Sequence, residues 1–247
     1  MTVTNPGSAL GEAIGKIIEA EITEAICYVA EDKYGLNTYS GRLKNGDGNI
    51  YQIDRIIKDK DGNPLITVEV KYLRYKKHNR DKASWTCTAH YNLRKTYPSI
   101  KKSIAILCGN WSKPSKALLR SFGAEIHEIP FEKLVNVLKK HNIIFDWDEK
   151  DRETAKKSWE KYQGLEKDAC KQIGIEITKE IVPSIKESIE HTITADPNKP
   201  KEIAEVEILI KTSHGEFYMR RFKKAQEGLK YLIDLQTDKE DMRDILR

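Results

Sequence analysis

Near the start of the chain, apolar residues recur at helical spacing. Between residues 8 and 31 they stand three or four positions apart, and polar residues fill the gaps. This period is typical of an amphipathic helix with one buried face. The apolar positions are Leu10, Ile14, Ile17, Ile18, Ile22, Ala25, Ile26 and Val29. The pattern predicts one long helix, which ends near Gly35.

Two β-rich runs follow, at residues 49–57 and 65–73. The sequence Lys-Asp-Gly-Asn-Pro lies between them, and Asp61 and Gly62 tolerate the backbone of a tight turn. We therefore expect a β-hairpin. The glycine-containing stretch that precedes it, residues 35–48, is predicted to be irregular.

The next part of the chain alternates between helical and strand patterns. Residues 81–97 contain no Gly or Pro and predict a helix that Pro98 ends. Two buried strands and two helices are then predicted, at 103–108 and 124–129 and at 114–122 and 131–141. Strands that alternate with helices indicate the α/β class.

Beyond about residue 146 the pattern changes to charged helical segments. Two helices are predicted at 151–169 and 172–190, then a Pro-containing loop at 196–200, a second hairpin at 204–211 and 215–222, and a helix at 224–235. We therefore expect two domains, a core of residues 1–145 and an appended α+β subdomain of residues 146–247. The subdomain is a candidate for DNA recognition or dimerisation.

Composition narrows the class of protein. With 247 residues, 39% hydrophobic and 33% charged, the chain can bury a core. No run reaches about 18 apolar residues, which excludes a transmembrane helix of the usual kind, and the N-terminus lacks the pattern of a signal peptide. The four cysteines are scattered singly, so neither disulfides nor a zinc site is expected. We expect a cytoplasmic protein without membrane contact.

Candidate chemistry lies on the predicted hairpin. Strand alternation places Glu69 and Lys71 on one face, with Val70 on the other. If the hairpin turns about Asp61 and Gly62, Asp54 comes level with Glu69 on the neighbouring strand. Two adjacent carboxylates favour a hard divalent cation, Mg²⁺ or Mn²⁺, which activates water and stabilises charge on a phosphate.

These residues resemble the PD-(D/E)XK nucleases, a superfamily that includes type II restriction endonucleases and Holliday junction resolvases. Asp54 followed by Glu69-Val70-Lys71 matches the Asp, spacer, Glu-x-Lys pattern, and the matching order of elements covers residues 8–129, about half of the chain. Ile53 stands where the family name has Pro. The resemblance implies a restriction-endonuclease-like core, with Asp54, Glu69 and the Val70 carbonyl as metal ligands and Lys71 as a catalytic residue.

The first helix offers a further acid. On a helical wheel Glu21 falls within the apolar face, whereas Glu12 and Glu19 fall on the opposite side, which is expected to face solvent. A buried carboxylate needs a partner. Because the family often uses an acid of the first helix near the metal, the resemblance makes Glu21 a catalytic and metal-binding candidate, with Glu24 as its substitute. A helix-edge acid paired with a lysine is the alternative.

A basic patch follows Lys71. The net charge of the whole chain is only +5, but six of the twelve residues from Lys71 to Lys82 are basic and one is acidic. Cations mixed with aromatic residues can contact phosphates and stack on bases. The candidates for DNA contact are Arg74, Lys76, Lys77 and Arg80. A solvated charged face is the alternative.

The sequence therefore predicts a Mg²⁺-dependent endonuclease that cleaves double-stranded DNA, with Mn²⁺ as a substitute metal. A type II restriction enzyme is favoured, because about 100 further residues accompany the catalytic half. A symmetric DNA site would favour a homodimer. Two alternatives stay open: a structure-specific nuclease of repair or recombination, and a non-catalytic nucleic-acid-binding protein.

Overall fold

The computed structural model describes residues 5–75, 78–148, 150–196, 198–200 and 202–237. The chain divides into two compact units between Thr194 and Ala195. The boundary that the sequence suggested, between residues 145 and 146, is therefore wrong by about 50 residues. The reason is that three helices that follow residue 150 pack into the core of the first unit.

A five-stranded mixed sheet lies at the centre of the first unit. The strands lie in the order β1-β2-β3-β4-β5; the first three pair antiparallel and the last two add in parallel. Their bounds are β1 Thr38–Lys44, β2 Ile50–Lys58, β3 Pro64–Leu73, β4 Lys102–Gly109 and β5 Ala124–Pro130. The predicted α/β class is confirmed.

Helices cover both faces of this sheet. They are α1 Pro6–Cys27, α2 Asn79–Thr96, α3 Lys113–Ser121, α4 Phe131–Lys140, α5 Arg152–Gln163, α6 Lys167–Thr178 and α7 Val182–Ile193. α1 begins where the Asn5 side chain accepts the Ser8 amide, with Pro6 in the first turn. A π-helical segment, Tyr28–Lys33, continues α1.

The two faces of the sheet form separate apolar cores. On one face the stripe of buried apolar residues along α1, which we call the α1 stripe, packs on Ile66 and Val68 of β3 and on residues of β4. On the other face Ile53 and Ile56 of β2 pack against Leu93 of α2. Because β3 is covered on both faces, its residues are mostly buried, including the polar ones, which then need partners.

The edge strand β1 was missed by the sequence analysis, which expected an irregular segment. Its residues pair with β2 from Thr38↔Ile57 to Lys44↔Ile50. Only Leu43 is buried in this strand, so the apolar alternation that marks a half-buried strand is weak here. The backbone pairing with β2 therefore makes the strand.

α5, α6 and α7 belong to the first unit and not to an appended subdomain. Ala155, Ile173, Ile177, Ile185 and Ile189 are buried in the same cluster as the α1 stripe. Two helices were predicted here and three are present, because Gly164 ends α5 and Pro183 lies in the first turn of α7.

The second unit contains the predicted second hairpin and last helix. β6 Val206–Lys211 pairs antiparallel with β7 Phe217–Phe222, and α8 Ala225–Thr237 follows. Among the described residues of either unit, no helix combines the length and the apolar character needed to cross a membrane.

Candidate nuclease site

The site is built where β2 and β3 stop pairing. The two strands are in the register Ile57↔Ile66, Ile56↔Thr67 and Arg55↔Val68, which makes Asp54 and Glu69 the next residues in line. The backbone pairing stops here, and the Asp54 carboxylate accepts a hydrogen bond from the Val70 amide at 2.8 Å. The register about the Asp61-Gly62 turn is the predicted one.

A β-bulge in β2 orients Asp54. Tyr39 pairs with Ile56 and Gly41 pairs with Ile53, so two residues, Asp54 and Arg55, lie opposite one residue of β1. A bulge bends its strand and changes the direction of the side chains within it. The bulge therefore turns Asp54 toward β3 at the end of the β2–β3 pairing.

Lys71 joins the two carboxylates. Its ammonium nitrogen Nζ lies 3.1 Å from Asp54 Oδ2 and also forms an ion pair with Glu69 Oε2. Among the described residues, Glu69 Oε2 has no polar partner other than Lys71. The Glu69 side chain is 4% exposed, against 20% for Asp54 and 25% for Lys71. The cluster thus opens to solvent on the side of Asp54 and Lys71.

Burial and charge shift the pKa values in this cluster. Burial raises the pKa of Glu69 from 4.5 to about 7, although the attraction of Lys71 opposes the change. Burial alone would lower the pKa of Lys71, but Glu69 and Asp54 together raise it. A cation and a carboxylate that binds a proton near neutral pH therefore lie in direct contact.

Glu21 is not part of this cluster. Its side chain lies against Gly174 of α6, where an added Cβ would lie only 2.6 Å from Glu21 Cγ. Burial raises the pKa of Glu21, with Glu24 and Lys171 as the charged neighbours that act on it. The prediction that Glu21 approaches Asp54 and Glu69 is wrong. Glu24 is no substitute, because it forms an ion pair with Lys171 at 3.1 Å.

Glu19 is the acid of α1 that lies near the cluster. Burial raises its pKa, and the next largest effects come from Asp54 and Lys71, followed by Arg55. Glu69 in turn experiences the charge of Glu19. The structure thus brings Glu19, which was expected to face solvent, toward the two carboxylates.

The width of the buried stripe on α1 explains the error. Ile22 and Ile26 are at most 1% exposed, so the buried face extends round the helix as far as Ile26. At about 100° per residue, Glu19 lies only about 20° from Ile26. Glu19 lies just beyond one edge of the stripe and Glu21 lies within the stripe near its other edge, which faces α6. Gly11 and Gly15 lie against Tyr72 of β3, and Glu19 follows them at the same spacing of four.

The basic patch is only partly available to a ligand. The Arg74 guanidinium lies 3.6 Å from the ring centroid of Trp147 and donates to the Trp147 carbonyl at 3.0 Å. Phe131, Phe145 and Tyr75 also lie within 6 Å of it. Arg74 is therefore largely occupied within the protein, contrary to its predicted role.

The other predicted phosphate contacts have different outcomes. Arg80 is exposed near the start of α2. Lys76 and Lys77 lie outside the described residues. Lys82, which was counted in the patch but given no role, donates to the Tyr72 carbonyl at 3.2 Å. Burial and the nearby charge of Lys71 both lower the pKa of Lys82.

The donors present suit a hard divalent cation. In the described part of the chain, no group of three or more His, Cys, Asp and Glu side chains is arranged to hold a metal. Mg²⁺ commonly uses only one or two carboxylates and keeps several waters. Asp54 and Glu69 supply two. Because the Val70 amide points to Asp54, the carbonyl of the same residue opens to that side of the strand as well. This set fits Mg²⁺ or Mn²⁺ and does not fit zinc.

Comparison with known proteins adds little to this geometry. No protein-family model and no curated protein matches the chain. A solved structure described as the crystal structure of protein of unknown function AF1548 is similar at 10% identity and a TM-score of 0.32. The match covers 66% of this chain and 98% of that one.

Proposed function

We propose that the protein is a metal-dependent deoxyribonuclease of the PD-(D/E)XK superfamily. The observation that carries the proposal is the contact of Lys71 with both Asp54 and Glu69, at the point where β2 and β3 stop pairing. The restriction-endonuclease-like description of the core is part of the same proposal. It is supported by the α1, hairpin, α2, β4, α3, β5 order of elements.

In the proposed reaction, Asp54, Glu69 and the Val70 carbonyl would hold Mg²⁺ or Mn²⁺. Such an ion lowers the pKa of a bound water and stabilises charge on the scissile phosphate. Lys71 donates a hydrogen bond to the attacking water or to a phosphate oxygen, from a position that already touches both carboxylates. Glu69 must lose its proton to bind the ion, so occupancy of the site increases as the pH rises through about 7. Glu19 replaces Glu21 as the candidate acid from the first helix, where its carboxylate would add negative charge beside the ion.

Double-stranded DNA is the proposed substrate, and a type II restriction enzyme is the favoured subclass. Lys82 provides a cation beside the site, and Arg80 is exposed two residues before it in α2. A homodimer and a cytoplasmic location stay predictions. A structure-specific nuclease is the alternative within the same chemistry.

The test is incubation of mixed-sequence supercoiled plasmid with the protein and Mg²⁺. We expect cleavage that chelation with EDTA abolishes and that Asp54→Asn reduces at least a thousandfold. Asp61→Asn, at the exposed hairpin turn, is the matched control and keeps full activity. Discrete fragments identify a restriction enzyme, and preference for branched DNA identifies a structure-specific nuclease. Intact plasmid with Mg²⁺ and with Mn²⁺, on any of these substrates, contradicts the proposal.

A non-catalytic DNA-binding protein is the second candidate, because Lys71 neutralises the carboxylates in a way that a structural ion-pair cluster also would. The two candidates differ in what removal of the Glu69 charge does to the free energy of unfolding.

A further inference from the structure

A groove of about 720 Å³ opens between α1, the end of β3 and α5. We refer to it as the α1–α5 groove. It lies wholly within the first unit. The lining residues that matter here are Tyr72, Arg74, Lys82, Trp147, Arg152 and Lys156.

The groove begins beside the candidate site. Tyr72 lines it and directly follows Lys71 in β3. Lys82 lines it too, and its ammonium both donates to the Tyr72 carbonyl and experiences the charge of Lys71. Strand alternation turns the Tyr72 side chain to the face of β3 opposite Lys71, so Lys82 is the side chain that links the candidate site to the groove around the end of β3.

The charge of the groove is positive. Four cationic side chains line it, and the acidic residues in its lining are Glu12 and Asp151. Both acids have partners: Glu12 forms an ion pair with Lys16 at 2.8 Å, and Asp151 accepts the Thr154 amide at 2.9 Å to cap α5. Neither acid therefore forms an ion pair with Lys82, Arg152 or Lys156 in the lining.

Arg152 and Lys156 form the α5 wall. They are four residues apart on one helix face, both exposed, with the buried Ala155 between them. No ion pair of Arg152 is found in the described parts of the chain, and Lys156 has only a distant one, 3.9 Å to Glu160. Arg74, in contrast, is held by Trp147.

We propose that the α1–α5 groove binds one unpaired strand of the DNA substrate, within one or two nucleotides of the bond that is cut. This inference rests on the proposed nuclease function. The volume lies in the range of pockets for small ligands, about 300–1,000 Å³, which suits one or two nucleotides and not a duplex. Lys82, Arg152 and Lys156 contact phosphates, and Tyr72 forms the floor. One strand of the double-stranded substrate is therefore unpaired beside the bond that is cut.

The test is fluorescence anisotropy with a labelled tetrathymidylate in EDTA, so that cleavage plays no part. Arg152→Ala with Lys156→Ala removes two phosphate contacts. Counterion release contributes about 0.7 log units per contact to single-strand binding at about 0.1 M salt, so affinity should fall roughly 25-fold and the salt slope by about 1.4. Lys157→Ala with Lys161→Ala is the matched control, because these lysines have the same spacing on α5 but do not line the groove.

Equal binding by the two double variants overturns the proposal. The proposal is also overturned if a blunt duplex competes with the tetranucleotide as effectively as a single strand of equal length does. Failure of the parent to cut plasmid with Mg²⁺ contradicts the nuclease function but leaves this binding result intact. The two ideas therefore fail separately.

Discussion

Replacement of Glu69 by Gln should make the protein more stable at pH 8 while it abolishes cleavage. Glu69 is 3% exposed, and burial raises its pKa from 4.5 to about 7 despite the ion pair with Lys71. Gln has the shape of the protonated acid and can still accept from Lys71 through its amide oxygen. Lys71 also keeps its contact with Asp54.

The magnitude follows from linkage. Between pH 4.5 and 7 the unfolded chain loses the Glu69 proton while the folded protein retains it, so the parent loses stability as the pH rises through this window. At about 1.36 kcal/mol per pH unit, the full effect is about 3 kcal/mol. Below pH 4.5 the carboxyl is protonated in both states. The stability of the Gln variant relative to the parent should therefore increase by about 3 kcal/mol from pH 4.5 to pH 8.

The measurement is urea unfolding followed by circular dichroism at about half-unit pH steps from 4.5 to 8.5, without divalent metal. Glu187→Gln, on an exposed position of α7, is the matched control and should follow the parent at every pH. Plasmid cleavage with Mg²⁺ is measured on the same preparations.

A fall in stability of the Glu69→Gln variant by 1 kcal/mol or more at pH 8 would refute the reasoning. In that case the Asp54, Lys71 and Glu69 cluster is a structural ion pair whose charge stabilises the fold. A gain in stability with loss of cleavage is the expected trade-off at a catalytic site, where a charge is retained for function at the expense of folding.

Three further outcomes are expected. Glu19→Gln should reduce cleavage at limiting Mg²⁺ by about tenfold, and Glu21→Gln should leave the Mg²⁺ titration unchanged. The reason is that the charge of Glu19, and not that of Glu21, acts on Asp54 and Glu69. Equal titration curves for the two variants would show that Glu19 is not part of the site. Arg74→Ala should lower the free energy of unfolding by about 2 kcal/mol, because the contact and the hydrogen bond with Trp147 are lost. The dependence of duplex affinity on salt concentration should not change; a smaller salt slope would show that Arg74 contacts DNA. Arg80→Ala should reduce that slope by about 0.9 without a change in urea midpoint, and an unchanged slope would identify Arg80 as part of a solvated face.

The sequence of neighbouring residues was sufficient to predict much of the Asp54, Glu69 and Lys71 cluster. A turn at Asp61 and Gly62 determines the register of β2 with β3, and that register places Asp54 and Glu69 level across the hairpin. Lys71 follows Glu69 by two, so strand alternation keeps both on one face. Each of these relations involves residues fewer than 20 positions apart, and the periods of helix and strand transmit them directly.

The tertiary structure decided which neighbours surround that cluster. The period of α1 identifies a buried stripe, with Glu21 inside one edge and Glu19 just beyond the other. Only the docking of α6 against the Glu21 edge determines which acid approaches Asp54. Arg74 stands in a basic run, yet Trp147, more than 70 residues later, takes its guanidinium out of the patch.

The same limit applies to the extent of the fold. Helices α5 to α7 are charged on their outer faces and looked like a separate domain, but their few buried residues complete the core around α1. β1 is a strand because β2 supplies hydrogen-bond partners for its backbone, which side-chain patterns record only weakly. Periodicity determined which face of an element is buried; contacts between distant segments determined what that face meets, because packing and charge depend on distance in space and not on separation along the chain.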